Sequence, residues 1–164
     1  MTIDFVGAIL LVNRCFNFSR RDETVPLSID FKAGDKIIIN GAVIENLGSN
    51  SKLSVHNQAA ILRGKEILSA EDSNTPASRV YFALQCAYIF PQNEMEYKSS
   101  FNDFLEEYLT ACPSAKPIAD EIRDNVEAGR LYNGLKVAQK LIEHEGELLR
   151  SLGKDVEGAV NDLS

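Results

Sequence analysis

The chain has 164 residues, of which 45% are hydrophobic and 25% are charged, and its formal net charge at pH 7 is −7. This length predicts one folded domain, and the acidic charge excludes a polybasic protein that coats DNA or an anionic membrane without specificity. The acidity is concentrated in residues 73–164, so a local basic surface in residues 1–72 is compatible with the composition.

The first 25 residues form a separate zone. Their apolar run, Val6–Val12, is much shorter than the roughly 20 residues that a membrane-spanning helix needs. It follows Asp4 rather than basic residues, and no small-residue cleavage site follows it cleanly, which argues against a signal peptide. We expect residues 1–25 to be an extension outside the folded core.

Residues 26–72 have the pattern of a small antiparallel sheet. Short β-rich runs such as LSIDF and KIIIN alternate with turn signals every 8–12 residues, a spacing that favours hairpins over βαβ units. Asn40-Gly41 lies between two apolar runs and suits a two-residue hairpin turn, because both residues tolerate positive φ angles.

Residues 73–153 have helical patterns. Thr75-Pro76 suits a helix start, and the nearly all-apolar run Val80–Phe90 predicts a buried helix between the sheet and the other helices, although periodicity alone does not exclude a central strand. Three amphipathic stretches follow, and Gly153 is the expected end of the last one, leaving residues 154–164 as a loose tail. The predicted fold class is α+β, a small antiparallel sheet followed by a three- or four-helix bundle. The stripe between Leu131 and Leu152 either completes the core or contacts a second chain.

Patterns typical of catalytic or metal sites are weak. The cysteines lie outside any CxxC spacing, and the sequence EHEGE around His144 lacks the second histidine that a zinc-binding helix needs. We expect Cys86 to be a buried core residue and Glu145 to make a specific contact near the apolar stripe. No P-loop, nucleophile elbow or dinucleotide-binding glycine pattern occurs. We therefore predict that the protein is not an enzyme and needs no metal or other cofactor.

Four segments in order carry a resemblance to a known family. LSIDFKAGDKIIINGAVIEN, AAILRGKEIL, TPASRVYFALQCAYI and RLYNGLKVAQKLIEHEGELL together resemble the FlbT family of flagellin-mRNA regulators, over about residues 26–153. The resemblance implies a cytoplasmic post-transcriptional regulator that acts on the 5′ untranslated leader of flagellin mRNA. Reduced message stability is the usual outcome in the family, and some members instead promote flagellin production. The family is associated with the small flagellin regulator FlaF, which implies a FlaF-like protein partner.

The sheet region is also similar to the carbon-storage regulator CsrA over about 40 residues. The similarity rests on GDK, the β-rich run into Asn40-Gly41, and RGKEI, in which Arg63 or Lys65 is the counterpart of the family's RNA-binding arginine. CsrA-like proteins are strand-exchanged dimers that hold an mRNA loop along sheet edges. This similarity implies RNA binding on the sheet and a homodimer.

Basic side chains of the sheet region are the candidate RNA-binding residues. Arginine and lysine contact phosphates in RNA complexes, while exposed strand edges offer backbone donors and acceptors to bases. Each of these residues taken singly is also explained as an ordinary surface charge. Their grouping in the sheet region, next to the acidic residues 73–164, is what points to RNA. The candidates are Lys32, Lys36, Lys52, Arg63, Lys65 and Arg79.

Two further expectations complete the sequence-based picture. FlbT-like chains begin near the counterpart of PLSIDF, and Val25 precedes that segment here, so we hypothesise that translation starts at a GTG codon at position 25. The alternative function is a flagellar adaptor or chaperone-like module, which binds a protein through its helices and does not bind RNA directly. In either case we expect neither DNA nor a membrane as a partner.

Overall fold

The computed structural model of the chain describes residues 26–161, with side chains as far as Leu152. The expected extension at residues 1–25 and the start at Val25 therefore lie outside the described residues. Within these limits the chain forms five strands and then four α-helices, which confirms the α+β class. The strands are β1 (Leu27–Phe31), β2 (Lys36–Ile39), β3 (Ala42–Glu45), β4 (Ser51–Val55) and β5 (Ile61–Arg63). The helices are α1 (Pro76–Ile89), α2 (Glu94–Ala111), α3 (Lys116–Glu127) and α4 (Leu131–Asn161).

The strands form two small antiparallel sheets. One contains β1 and β4, and the other has the order β3-β2-β5. The first ladder ends at the pair Phe31–Ser51 and the second begins at Lys36–Glu45, so the two ladders are one long hairpin interrupted at residues 32–35 and 46–50. Asn46 stabilises the interruption, because its side-chain amide donates to the carbonyl of Phe31 at 2.8 Å. The interruption allows the outer ladder to fold over the inner one.

The Asn40-Gly41 turn has the predicted geometry. The φ angles are +49° at Asn40 and +83° at Gly41, and Ile39 pairs directly with Ala42, as a type I′ hairpin requires. Asn40 also fixes the approach to β5, since its side-chain oxygen accepts a hydrogen bond from the N–H of Ala60 at 2.9 Å. The turn therefore connects the hairpin to the third strand of its sheet.

Gly41 is expected to be much less tolerant of substitution than Gly34. Both have positive φ, where an alanine costs about 1–2 kcal/mol. A Cβ at Gly41 would lie 2.6 Å from the Phe90 ring, whereas a Cβ at Gly34 would meet nothing within 4 Å. Gly41→Ala should therefore lower the free energy of unfolding by about 1 kcal/mol or more beyond the effect of Gly34→Ala. Urea denaturation of both variants measures the difference, and equal losses would show that Phe90 moves aside freely.

Strand β2 is buried on both faces, which explains why KIII lacks polar alternation. Ile37 packs with Ile29 and Phe31 between the two sheets. Ile38 and Leu62 point the opposite way and join the main core formed by the helices. The three-stranded sheet is consequently a middle layer, with the two-stranded sheet on one side and the helices on the other.

Helix α1 is the centre of the helical part, as its composition predicted. Thr75 is its N-cap and Pro76 its first residue, and Cys86 is buried within it, as expected. The Glu145 carboxylate accepts a hydrogen bond from the N–H of Ala77 at 3.1 Å, which confirms a specific contact for this residue. It also satisfies one of the free N–H groups at the start of α1.

The last helix differs from the prediction. It continues through Gly153 to Asn161, so the expected end at Gly153 is wrong. A glycine inside a helix costs about 1 kcal/mol relative to alanine, but it does not end the helix unless the following backbone leaves the helical conformation. The predicted stripe is divided: Leu135 is buried, whereas Leu149 and Leu152 are each 60% exposed. Across residues 26–161, none of the helices combines the length and hydropathy needed to cross a membrane.

Candidate nucleic-acid interface

The segment that follows β5 connects the sheet to the helices. The side-chain amide of Gln85 forms two hydrogen bonds with the backbone of Leu68: Oε1 accepts from the Leu68 N–H at 2.9 Å, and Nε2 donates to the Leu68 carbonyl at 2.8 Å. Gln85 is only 2% exposed. The buried amide of Gln85 thus pairs with the backbone N–H and carbonyl of Leu68 as a neighbouring strand would. These two hydrogen bonds hold the segment against α1.

Glu66 is held in the same segment by groups from three elements. Tyr81 donates its hydroxyl proton to the Glu66 carbonyl at 2.7 Å, and Tyr132 donates to the Glu66 carboxylate at 2.6 Å. The second carboxylate oxygen accepts from the N–H of Arg63 at 3.1 Å. Arg63, at the end of β5, therefore has a backbone position fixed from both the sheet and the helical side.

Both tyrosines that bind Glu66 have a raised pKa. The hydrogen bond to Glu66, with a smaller effect of burial, raises the pKa of Tyr132 to about 12. Burial is the main cause that raises the pKa of Tyr81 to about 12. Both phenols are therefore neutral donors at physiological pH, as their hydrogen bonds to Glu66 require.

The raised pKa values predict a loss of stability in alkali. An unfolded tyrosine ionises near pH 10, while Tyr81 and Tyr132 in the folded protein remain neutral. Ionisation therefore lowers the free energy of the unfolded state relative to the folded state as pH rises from about 10 towards about 12. Urea denaturation at pH 9, 10 and 11 should show this decrease, and Tyr132→Phe should make it shallower. An identical pH dependence in the variant would contradict the role given to the Tyr132–Glu66 hydrogen bond.

Arg63 and Lys36 both line a groove between the two sheets. This inter-sheet groove has a volume of about 290 Å³ and lies between β1 on one side and the ends of β2 and β5 on the other. Its polar lining consists of Lys36, Arg63, Asp30 and Asp35, and its floor is formed by buried side chains of the sheet core. Two of the six candidate residues thus share one concave surface.

Lys52 is not among the residues that line this groove. It forms an ion pair with Asp30 at 3.7 Å across β1 and β4, just as Lys36 pairs with Glu45 at 3.7 Å across β2 and β3. Both lysine side chains are largely solvent-exposed, 60% for Lys36 and 75% for Lys52. Exposed pairs of this kind contribute about 0–1 kcal/mol, so either lysine can exchange its carboxylate for a phosphate at little cost.

The other three candidates lie elsewhere. Lys32 and Lys65 are exposed, in the β1–β2 connection and in the turn after β5 respectively, and neither lines the groove. Arg79 lines a separate cavity of about 350 Å³ between α1 and α2, together with Phe82 and Tyr97. The structure therefore brings together Lys36 and Arg63, whereas Lys52 is linked to the groove only through its ion pair with Asp30.

Arg63 also borders a second cleft, on the helical side of β5. This tyrosine cleft has a volume of about 280 Å³ and is lined by Leu27, Ser28, Ile29, Ala59, Ile61, Arg63, Glu66, Tyr88 and Tyr132. The two tyrosine rings are tilted by 36° with centroids 5.7 Å apart, and the ammonium group of Lys136 lies 4.7 Å from the centroid of the Tyr132 ring. Arg63 thus separates a groove with charged walls from a cleft with aromatic walls.

The sequence prediction missed Glu66, Tyr88, Tyr132 and Lys136. Tyr132 carried a usable signal, because it lies beside Leu131 but outside the apolar stripe of its helix, where a large aromatic ring needs another explanation. Tyr88 carried none, since it lies in a run that is apolar almost throughout. Their proximity depends on the packing of α1 and α4 and is not encoded in local spacing.

The outer edge of β5 is already occupied. The N–H of Ile61 donates to the hydroxyl of Tyr88 at 3.1 Å, and the N–H of Arg63 donates to Glu66. The N–H groups of Ile61 and Arg63 on this edge are therefore engaged within the protein, and only side chains here have free hydrogen-bonding capacity. The outer edge of β3, by contrast, pairs with no strand among the described residues.

Metal chemistry finds no support in the described part of the chain. There, no three His, Cys, Asp or Glu side chains come together as metal ligands. His144 instead lies within hydrogen-bonding distance of the hydroxyls of Tyr108 and Ser114, both at 3.2 Å.

Comparison with known proteins places the chain in a family. The sequence profile described as "Flagellar protein FlbT" matches residues 27–149. A protein of Caulobacter vibrioides named "Flagellum biosynthesis repressor protein FlbT" is 30% identical over 134 residues, which cover 80% of this chain and 95% of the relative.

Two relatives named "Probable flagellum biosynthesis repressor protein FlbT", one with the suffix 1, are more similar in sequence. The relative from Bradyrhizobium diazoefficiens is 37% identical over 123 residues, covering 74% of this chain and 84% of its own length. The relative from Rhodopseudomonas palustris is 33% identical over 126 residues, covering 76% and 98%. No solved structure matches the chain, so the similarity to CsrA stays a prediction. The profile and these relatives together cover most of the chain, which belongs to the FlbT family.

Proposed function

We propose that this FlbT-family protein is a cytoplasmic post-transcriptional regulator of flagellum biosynthesis, which binds the 5′ untranslated region of flagellin mRNA and promotes degradation of the message or represses its translation. The names of the relatives, which are flagellum biosynthesis repressors, support the regulatory role and the repressive sign. The observation that carries RNA binding is the position of Arg63, which borders both the inter-sheet groove and the tyrosine cleft.

This arrangement suits single-stranded RNA. Proteins that bind unpaired RNA combine cations along the phosphate backbone with aromatic rings on which bases stack. Here Lys36 and Arg63 line the groove, Lys52 pairs with the groove residue Asp30, and Tyr88 and Tyr132 line the adjoining cleft. The acidic helical half would repel RNA from other surfaces and direct it to the sheet.

A gel-shift assay at two salt concentrations tests the proposal. The purified protein should retard the flagellin leader RNA at low salt more strongly than an unrelated RNA of equal length. Binding should weaken steeply at the higher salt concentration, because phosphate contacts release counterions. Absence of a shift at both concentrations would refute direct RNA binding.

A second candidate function is an adaptor that binds a flagellar protein and does not contact RNA. The exposed Leu149 and Leu152 on α4 favour it, since paired exposed leucines on a helix are typical of protein contacts. The partner would be a FlaF-like regulator, or a second copy of this chain in a homodimer. Light scattering with and without the candidate partner separates these cases, and a stable protein complex without any RNA shift would favour the adaptor.

A further inference from the structure

The tyrosine cleft has the features of a binding site that the phosphate contacts alone do not require. It is concave, its volume of about 280 Å³ is close to the lower limit of about 300 Å³ for small-ligand pockets, and its walls combine aromatic and polar groups. Its position beside Arg63 places it where a nucleotide next to a bound phosphate would reach.

We propose that the tyrosine cleft binds one unpaired base of the RNA, and that its hydrogen-bonding groups select guanine. This inference rests on the proposed RNA binding and goes further, because it assigns sequence discrimination to residues outside the basic groove. Two independent features carry it, the aromatic wall and the carboxylate of Glu66.

The aromatic wall provides stacking. Tyr88 and Tyr132 both line the cleft, and their positions are fixed by hydrogen bonds to Ile61 and Glu66. Because both hydroxyls are already engaged with the protein, the rings are held before a base arrives, which reduces the ordering cost of binding. Lys136 covers one face of the Tyr132 ring and does not line the cleft, so a base would stack on the ring surface that Tyr88 and Tyr132 present to the cleft.

The carboxylate of Glu66 provides selectivity. It accepts two hydrogen bonds within the protein, from Tyr132 and Arg63, and a carboxylate has about four acceptor positions. Guanine presents two adjacent donors, N1–H and the N2 amino group, which match the remaining acceptor capacity. Adenine and the pyrimidines lack this pair of donors. The exposed guanidinium of Arg63 in the same cleft can donate to guanine O6 or N7.

The test measures RNA affinity by fluorescence anisotropy, with the flagellin leader RNA and versions of it in which each unpaired guanine is replaced by inosine. Inosine lacks the N2 amino group, so one position should show a loss of roughly 5- to 150-fold with the wild-type protein. Tyr132→Ala should weaken binding of the unmodified RNA by a similar factor. Its dependence on salt should not change, because tyrosine contacts no phosphate.

Two further variants make the result specific. Tyr97→Ala is the matched control, since Tyr97 and Phe90 form an aromatic pair with the same 36° tilt on a different surface, and its affinity should equal that of wild type. Glu66→Gln retains an acceptor for Tyr132 but not two acceptors for guanine, so it should bind guanine and inosine RNAs equally well. Glu66→Gln also tests the cleft if Tyr132→Ala fails to fold.

The outcomes distinguish this inference from the proposed function. Salt-dependent binding that is unchanged by Tyr132→Ala, Glu66→Gln and inosine would overturn the base site and leave RNA binding intact. No binding by the wild-type protein would overturn both. If Tyr132→Ala weakens RNA binding but Glu66→Gln still prefers the guanine RNA to the inosine RNA, the assignment of selectivity to Glu66 is overturned.

Discussion

Replacing Gln85 with leucine is expected to lower the free energy of unfolding by about 2–4 kcal/mol. Leucine has a similar size but leaves the N–H and the carbonyl of Leu68 without their partner, and each unsatisfied buried group costs about 1–3 kcal/mol. Equilibrium urea denaturation monitored by circular dichroism measures the change.

Gln92→Leu is the matched control, because Gln92 is exposed and makes no comparable hydrogen bond in the described structure. It should change the free energy of unfolding by no more than about 0.5 kcal/mol. A loss for Gln85→Leu as small as that of the control would show that water replaces the amide, and that the link between β5 and α1 does not depend on Gln85.

The second large effect is expected on RNA affinity. Replacing Lys36 and Arg63 together with alanine should weaken binding of the leader RNA by roughly 10- to 100-fold, because charged hydrogen bonds to phosphate contribute about 1.5–3 kcal/mol each before losses to solvent. Both side chains are exposed, so the free energy of unfolding should hardly change. Filter binding at one fixed salt concentration measures the affinity.

The double variant Lys116→Ala, Lys140→Ala controls for total charge. It removes the same two positive charges from α3 and α4, where each lysine also pairs with a carboxylate. Its affinity should fall by less than threefold, because only a long-range and salt-screened effect remains. Equal losses in both double variants would show that net charge, and not the groove, governs binding.

The features predicted from sequence are those governed by neighbouring residues. Asn40-Gly41 specified its turn because few residue pairs tolerate two positive φ angles. Thr75-Pro76 specified a helix start because the Thr75 side chain caps the first turn and proline has a fixed φ that suits the first helical position. Val80–Phe90 was correctly placed between the sheet and the helices because an all-apolar helix requires burial on every side.

The features that the sequence did not predict depend on contacts between distant segments. The division into two sheets results from an interrupted hairpin that folds over itself, and Asn46 stabilises it through the carbonyl of Phe31. The tyrosine cleft requires β5, α1 and α4 to meet around Glu66. The predicted basic residues do not all lie together for the same reason, since Arg79 lies in the first turn of α1 and lines a different cavity from Arg63. Local patterns contain none of this information.

The most direct measurement is the slope of log affinity against log salt concentration for the leader RNA, determined for the wild-type protein and for Lys36→Ala, Arg63→Ala. Each phosphate contact in single-stranded nucleic acid contributes about 0.7 to the magnitude of this slope. We expect a linear decrease for wild type and a slope smaller in magnitude by about 1.4 for the double variant. Equal slopes for the two proteins, or no measurable affinity of the wild-type protein, would contradict RNA binding through the inter-sheet groove.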